Sequence, residues 1–289
     1  MGADLLRELT LARRHHPERI AEALKARRRR PLLDDSGKLF LIAADHPARG
    51  VLKAGADPLA MADRGELLRR LLVALQQPGV DGLLATADIV EDLVLLGGLE
   101  ARLVFGSMNR GGLAGSVFEL DDRFTAYTAE AIARSGLDGG KMMVRVSDQD
   151  AGTLETLAGC AKAISELAAR RLPAMVEVLA EGDEAAALMR AIAVVSGLGE
   201  TSAYTWLKLP VLAGMEDVMR ATSLPTVLLG GDPGPDTDAT FRRWEDAMAL
   251  PQVCGLVAGR TLLYPEHGDV VRAVDEAAAI VRPNVQAAR

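Results

Sequence analysis

With 289 residues and a formal net charge of −7 at neutral pH, the chain suits one large domain or two small ones and lacks the basic footprint of a nucleic-acid-binding protein. Hydrophobic residues make up 49% and aromatic residues only 3%, so any core must be aliphatic. Two distant cysteines, Cys160 and Cys254, exclude a disulfide framework and read as buried thiols, and no run of 18 apolar residues or signal-like stretch near Met1 points to a membrane. A soluble cytoplasmic protein is expected.

The first 30 residues read as two helices, about 2–14 and 17–29, with Pro17 opening the second. The basic run Arg27, Arg28, Arg29 and Arg30 reads as a solvated helix C-terminus, because cations suit that end and Pro31 stops the helix. Beyond Pro31, short apolar runs alternate with amphipathic ones. Strands are expected at 38–44, 81–85, 102–106, 140–146, 173–179, 203–209, 225–229 and 253–258. Helical patterns lie between most of them, at 60–77, 122–135, 151–171, 183–196, 213–222, 236–249 and 267–282, with Asp121 and Asp122 placed to cap the second.

Eight near-continuous apolar strands with helical crossovers imply a parallel sheet buried on both faces. At this length the α/β pattern fits a closed (β/α)8 TIM barrel over 32–289, preceded by an N-terminal helical extension over 1–31. An open doubly wound sheet would more often carry a Gly-x-Gly-x-x-Gly turn after its first strand, and the segment ending in Ala44, Asp45, His46 and Pro47 lacks that spacing.

In such barrels the reactive groups gather at the C-terminal strand ends, which sorts the polar residues by position. Lys208 is the one amine in a strongly apolar sixth strand. Lysine is rarely buried without a partner or a task. Apolar walls or a second cation lower its pKa from ~10.4 toward 7, about 3 units or roughly 4 kcal/mol, and make it able to form a Schiff base. Lys141, in the fourth strand, is the candidate second cation. Glu177, in the fifth, is a candidate proton carrier or simply a salt-bridge partner of Lys141 or Arg145. Asp45, after the first strand, either orients substrate and assists proton transfer or bridges to Arg49. His46 reads as a loop residue braced by Pro47.

Gly230 and Gly231 follow the seventh strand, and Gly259 and Arg260 the eighth. The loops after these two strands frequently hold phosphate, and glycine lets backbone N–H groups approach it. The alternative is a plain turn, with Arg260 paired to a surface acid. Arg145, two turns of the pleat above Lys141 on the same face, and Asn109 and Arg110 after the third strand complete the candidate substrate contacts. No His pair and no Cys or carboxylate cluster stands at metal-ligand spacing, which disfavours a metal-dependent mechanism.

These residues resemble the class I aldolase family that includes deoxyribose-phosphate aldolase and tagatose-bisphosphate aldolase. The likeness is greater to the tagatose-bisphosphate branch and its relative sulfofructose-phosphate aldolase, and spans about residues 38–282. Asp45 after the first strand, Lys141 in the fourth, Glu177 in the fifth, Lys208 before Leu209 and Pro210 in the sixth, and the Gly259 and Arg260 pair fall in the family's order. Two departures stand out. His46 and Pro47 replace the usual Gln-Arg, and Leu179 stands where archaeal-type fructose-bisphosphate aldolases have a tyrosine, leaving Glu177 as the proton carrier. The loop from Ser107 to Gly112 has no match.

The resemblance implies a class I aldolase, free of metal and organic cofactor, that cleaves a phosphorylated ketose or keto acid to dihydroxyacetone phosphate and an aldehyde. It also implies a homo-oligomer. Two other readings keep the barrel: a phosphosugar isomerase or epimerase using Glu177 and Asp45, and a non-catalytic phosphosugar-binding regulator.

Overall fold

The structure, a computed structural model, describes residues 2–109, 112–182, 184–233 and 236–283. Helices α1 (Gly2–His15) and α2 (Glu18–Ala26) precede the first strand. There follow β1 (Leu39–Ala43), a 3-10 turn (Pro47–Arg49), α3 (Arg64–Gln76), β2 (Gly82–Ala85), α4 (Ala87–Leu95), β3 (Leu103–Ser107), α5 (Ala129–Arg134) and β4 (Gly139–Val146). The second half runs α6 (Gly152–Ala168), β5 (Ala174–Ala180), α7 (Ala185–Ser196), β6 (Thr205–Leu209), α8 (Met215–Met219), β7 (Thr226–Leu229), α9 (Thr237–Met248), β8 (Val253–Ala258), α10 (Arg260–Leu263) and α11 (Val270–Val281).

Each strand pairs in parallel with the next, and β8 pairs with β1, so the sheet is a closed (β/α)8 TIM barrel. Both faces of the strands are dry. Leu39, Leu41, Phe105, Met175, Val227 and Val257 fill the inside, and Phe40, Ile42, Leu83, Val104, Val176 and Leu256 pack outward against the helices. Burial on both faces is why the strands read as unbroken apolar runs rather than as alternation. Among the described residues no helix is long and apolar enough to cross a membrane.

All eight strands lie where the apolar runs place them. No helical pattern marks α4, whose nine residues run into Leu96 and Leu99 and blur their own period. Burial pushes the Cys160 thiol up to about 12 and the half-buried Cys254 thiol up to about 11, so both free cysteines stay protonated near neutrality.

Two expectations are overturned. The basic run does not end a helix, and it is solvated only in part, at Arg28 and Arg29. Helix α2 stops at Ala26, and Arg27 is only 4% exposed. Its guanidinium donates to Asp138 Oδ2 at 3.1 Å, to Gly136 O at 2.9 Å and to Arg102 O. Arg29 reaches Asp138 Oδ1 at 2.8 Å, and Arg30 reaches Asp81 Oδ1 at 2.6 Å. Asp81 and Asp138 precede β2 and β4, so the run lies across the N-terminal end of the barrel and pins the two leading helices there. The same carboxylates accept the N–H groups of Phe40 and Val104, at 2.7 and 2.9 Å.

Nor do Asp121 and Asp122 cap a helix. Asp122 is fully buried, and its carboxylate takes Nε and Nη2 of Arg145 at 2.9 and 3.0 Å. That fork turns the carboxylate toward β4, and the segment from Gly112 to Tyr127 holds no helix. Helix α5 starts later, where the Thr128 hydroxyl accepts the Ala131 N–H at 3.1 Å.

Candidate active site

The closed register brings the strand-borne charges together at the C-terminal end of the barrel. Glu177 on β5 is the Cα partner of Lys208 on β6, and Lys141 on β4 is the partner of Ser107 on β3. Asp45 follows β1 by two residues. Lys208 Nζ lies 3.0 Å from Glu177 Oε1. Lys141 Nζ bonds the other oxygen, Oε2, and reaches Asp45 Oδ2 at 3.0 Å. The Ser107 hydroxyl donates to that Asp45 oxygen at 3.3 Å. The result is one buried chain, Lys208, Glu177, Lys141, Asp45, Ser107, in which two amines share one carboxylate.

Burial shapes its electrostatics. Lys208 is 3% exposed. Desolvation presses its amine below the ordinary lysine value, the Lys141 ammonium adds to this, and Glu177 and Asp45 oppose it. Burial alone would raise the Glu177 carboxyl, but the ammonium groups of Lys141 and Lys208 outweigh it and hold that carboxyl well below the usual carboxylate range. The arrangement can therefore present an amine with a weakened hold on its proton beside a carboxylate that stays ionised.

A cavity of about 210 Å³ opens onto this chain. Lys208, Glu177 and Asp45 line its floor, while Lys141, fully buried, lies behind Glu177. Gly230, Gly231, Gly259 and Arg260 form one wall. Gly231 has φ +72°, a left-handed conformation that favours glycine. A Cβ on Gly259 would fall 2.2 Å from Ala43 O, so only glycine lets β8 leave the barrel this close to β1. The Gly230 N–H is spent on Val257 O at 3.2 Å and fixes the loop. Arg260 is paired with Asp232 Oδ1 at 2.8 Å, the surface-acid pairing anticipated as its alternative, and still faces the cavity.

Two expected contacts stand elsewhere. Asn109 is fully buried and brackets the β4 backbone, donating from Nδ2 to Met143 O at 2.6 Å and accepting the Met143 N–H at 2.7 Å. Arg145 is held by Asp122 and by Glu119 at 3.1 Å, away from the cavity wall. Arg110 lies outside the described residues. Conversely, the cavity wall includes His46, whose Nδ1 is 4.0 Å from Asp45 Oδ1, and Arg49. Their only signal in the sequence is closeness to the end of a strand. A wider groove of about 1220 Å³ lies outside the mouth between the segment after β6 and α9, and none of the charged chain faces it.

The crystal structure of the Corynebacterium glutamicum protein Cgl0159 is 48% identical to this chain, covering 97% of it and 98% of that protein, with a TM-score of 0.94. A Schiff-base-forming fructose-1,6-bisphosphate aldolase superposes with a TM-score of 0.67 at 14% identity, over 91% of this chain and 99% of that one. The fructose-bisphosphate aldolase of Slackia heliotrinireducens does so with a TM-score of 0.69 at 13% identity, over 91% and 84%. At such identities the likeness is one of fold, an aldolase-like barrel. No curated protein matches the chain. The Cgl0159-like family model matches residues 37–278, a span that takes in all eight strands and every member of the buried charge chain. With the close Corynebacterium relative, that match settles the family: the chain belongs to the Cgl0159-like family.

Proposed function

We propose that the protein is a class I aldolase in which Lys208 forms the Schiff base. The observation that carries this reading is the Lys208 amine, buried 3.0 Å from an ionised Glu177 that also holds the Lys141 ammonium, on the floor of a cavity walled by glycine loops. The Lys208 lone pair adds to a ketone carbon, and the carbinolamine loses water to give a protonated imine. A carboxylate, Glu177 with Asp45 in support, takes the proton of the hydroxyl on the carbon beyond the scissile bond. The C–C electron pair flows to the iminium nitrogen, releasing an aldehyde and leaving an enamine. Protonation of the enamine carbon and addition of water return the ketone and the free amine. The iminium is itself the electron sink of this scheme.

Gly231, Gly259 and Arg260 anchor a phosphate at the β7–β8 side, which fixes the ketone against Lys208. Gly230, Asn109 and Arg145 act indirectly, by fixing the β7 loop, β4 and the segment from Gly112 to Tyr127. The products are dihydroxyacetone phosphate and an aldehyde. The ordered motifs favour kinship with the tagatose-bisphosphate branch. Incubation with dihydroxyacetone phosphate, reduction with borohydride and peptide mass mapping test the reading. The mass is expected on Lys208. Turnover with no adduct would instead indicate an isomerase or epimerase, and binding with neither would indicate a regulator.

A further inference from the structure

The loop after β7 meets the cavity at Gly230 and Gly231, with β8 on one side of it and β6 on the other. Both polar groups of the Gly230 backbone are taken up on the β8 side. Its N–H donates to Val257 O at 3.2 Å, and its carbonyl accepts the Thr261 hydroxyl at 3.4 Å. Thr261 is 2% exposed, lies in α10 just beyond Gly259 and Arg260, and is not part of the cavity wall. A Cβ on Gly230 would fall 2.6 Å from Ala258 Cβ, so the loop rests directly on β8. In a trans peptide the carbonyl and the following N–H point in opposite directions, and the described residues contain no cis peptide. A Gly230 carbonyl turned to Thr261 therefore turns the Gly231 N–H away from β8, toward the β6 side where Lys208 stands. Among the described residues that N–H has no hydrogen-bond acceptor, and Gly231 lines the cavity.

We propose that Thr261 is a positioning residue for phosphate recognition. Its hydroxyl locks the peptide between Gly230 and Gly231 in the orientation that offers the Gly231 N–H to a phosphate oxygen. The inference rests on the reading of the β7 and β8 loops as the phosphate anchor, and extends it to a side chain that never touches substrate. A peptide between two glycines rotates more easily than any other, and Gly231 already has φ +72°. Held at its carbonyl, that peptide needs no ordering when the ligand arrives, and less binding energy is lost to fixing it. The 3.4 Å separation is long for a hydroxyl donor. A phosphate drawing on the Gly231 N–H polarises the same amide and makes its carbonyl a better acceptor, so the two bonds strengthen each other. The β7 loop and α10 then grip the phosphate as one unit.

The test compares the unsubstituted protein with Thr261→Val, which keeps the branched shape without the hydroxyl, and with Thr261→Ser, which keeps the hydroxyl. One readout is the rate of borohydride trapping on Lys208 at low ketone concentration, with dihydroxyacetone phosphate over that with dihydroxyacetone. Because the ratio is taken within one preparation, any loss of folded protein cancels. The other is the affinity for inorganic phosphate from calorimetric titration, which needs no Schiff base. Thr261→Val is expected to lower the ratio and the affinity about tenfold each, as for loss of one hydrogen bond to a charged group, and Thr261→Ser to hold both within about twofold. A general loosening of the barrel mouth would slow both ketones alike. Failure of either quantity to fall in Thr261→Val overturns the proposal, and so does an equal fall in Thr261→Ser. If the unsubstituted protein neither prefers the phosphorylated ketone nor binds phosphate, the phosphate anchor is wrong and the proposal falls with it. If no adduct forms on Lys208, the Schiff-base reading fails, and the phosphate titration alone decides for or against Thr261.

Discussion

Each end of the barrel carries a network of cations around buried carboxylates, and the two networks differ in the kind of cation. At the N-terminal end Arg27, Arg29, Arg30 and Arg282 meet Asp81 and Asp138. At the mouth Lys208 and Lys141 meet Glu177 and Asp45. Guanidinium groups stay charged at any ordinary pH and spread several donors over carboxylates and carbonyls. Amines surrender a proton when burial and a second cation press on them. A buried ion network thus serves as a fastening or as a reagent according to whether its cations can be emptied.

The largest effect should follow from exchanging the two kinds at the mouth. Lys208→Arg keeps a charge and removes the nucleophile, and retro-aldol activity should fall about 10⁴-fold or more, with no adduct after borohydride. An adduct surviving on another lysine would remove Lys208 from the mechanism. Glu177→Gln should lower kcat by roughly 10²- to 10⁴-fold through loss of the proton carrier, measured at saturating substrate. At the other end, Asp138→Asn leaves Arg27 buried without its counter-ion. Urea titration should show a loss of about 3–5 kcal/mol, while the folded fraction keeps its kcat. Equal loss of kcat and stability would deny that the two networks are separable.

The smallest effect is the most diagnostic. Trapping needs the free amine, so its rate should rise with pH and level off below the ~10.4 of an ordinary lysine. Lys141→Met removes a cation that depresses Lys208 and should move the profile to higher pH. Glu177→Gln removes the group that props Lys208 up and should move it to lower pH. Shifts in the same direction would break the electrostatic account. The linkage has a matching sign. The Glu177 carboxyl is depressed by folding, so its share of stability is present above the ordinary carboxylate range and is lost as pH falls through its folded value.

The strands were legible because both their faces are dry, and a lone amine in such a run, Lys208 or Lys141, stands out against it. The partners that give polar residues their meaning were not legible. Arg27 lies 111 residues from Asp138, and Arg30 lies 51 from Asp81, so no local pattern distinguishes a clamp from a solvated end. The pleat placed Arg145 on the face of Lys141, but four residues further on its long side chain reaches the rim, where Asp122 captures it. The same ion pair breaks the helical pattern read over 122–135. Asn109 was singled out for its amide, and that amide is consumed by the backbone of a neighbouring strand. Arg49 sits in an aperiodic turn, and only the folded chain shows where its guanidinium goes.

The sharing of Glu177 between two amines bears on the proposed chemistry as a whole. A protonated Lys208 and the iminium derived from it carry the same unit of charge at nearly the same point. The surrounding dipoles, set once by folding, then face nearly the same field in those two states, and it changes when the amine is emptied to attack and when bond cleavage neutralises the iminium to an enamine. A matrix already oriented toward the ammonium therefore receives the iminium with little reorientation, which is what a preorganised site offers a charged intermediate.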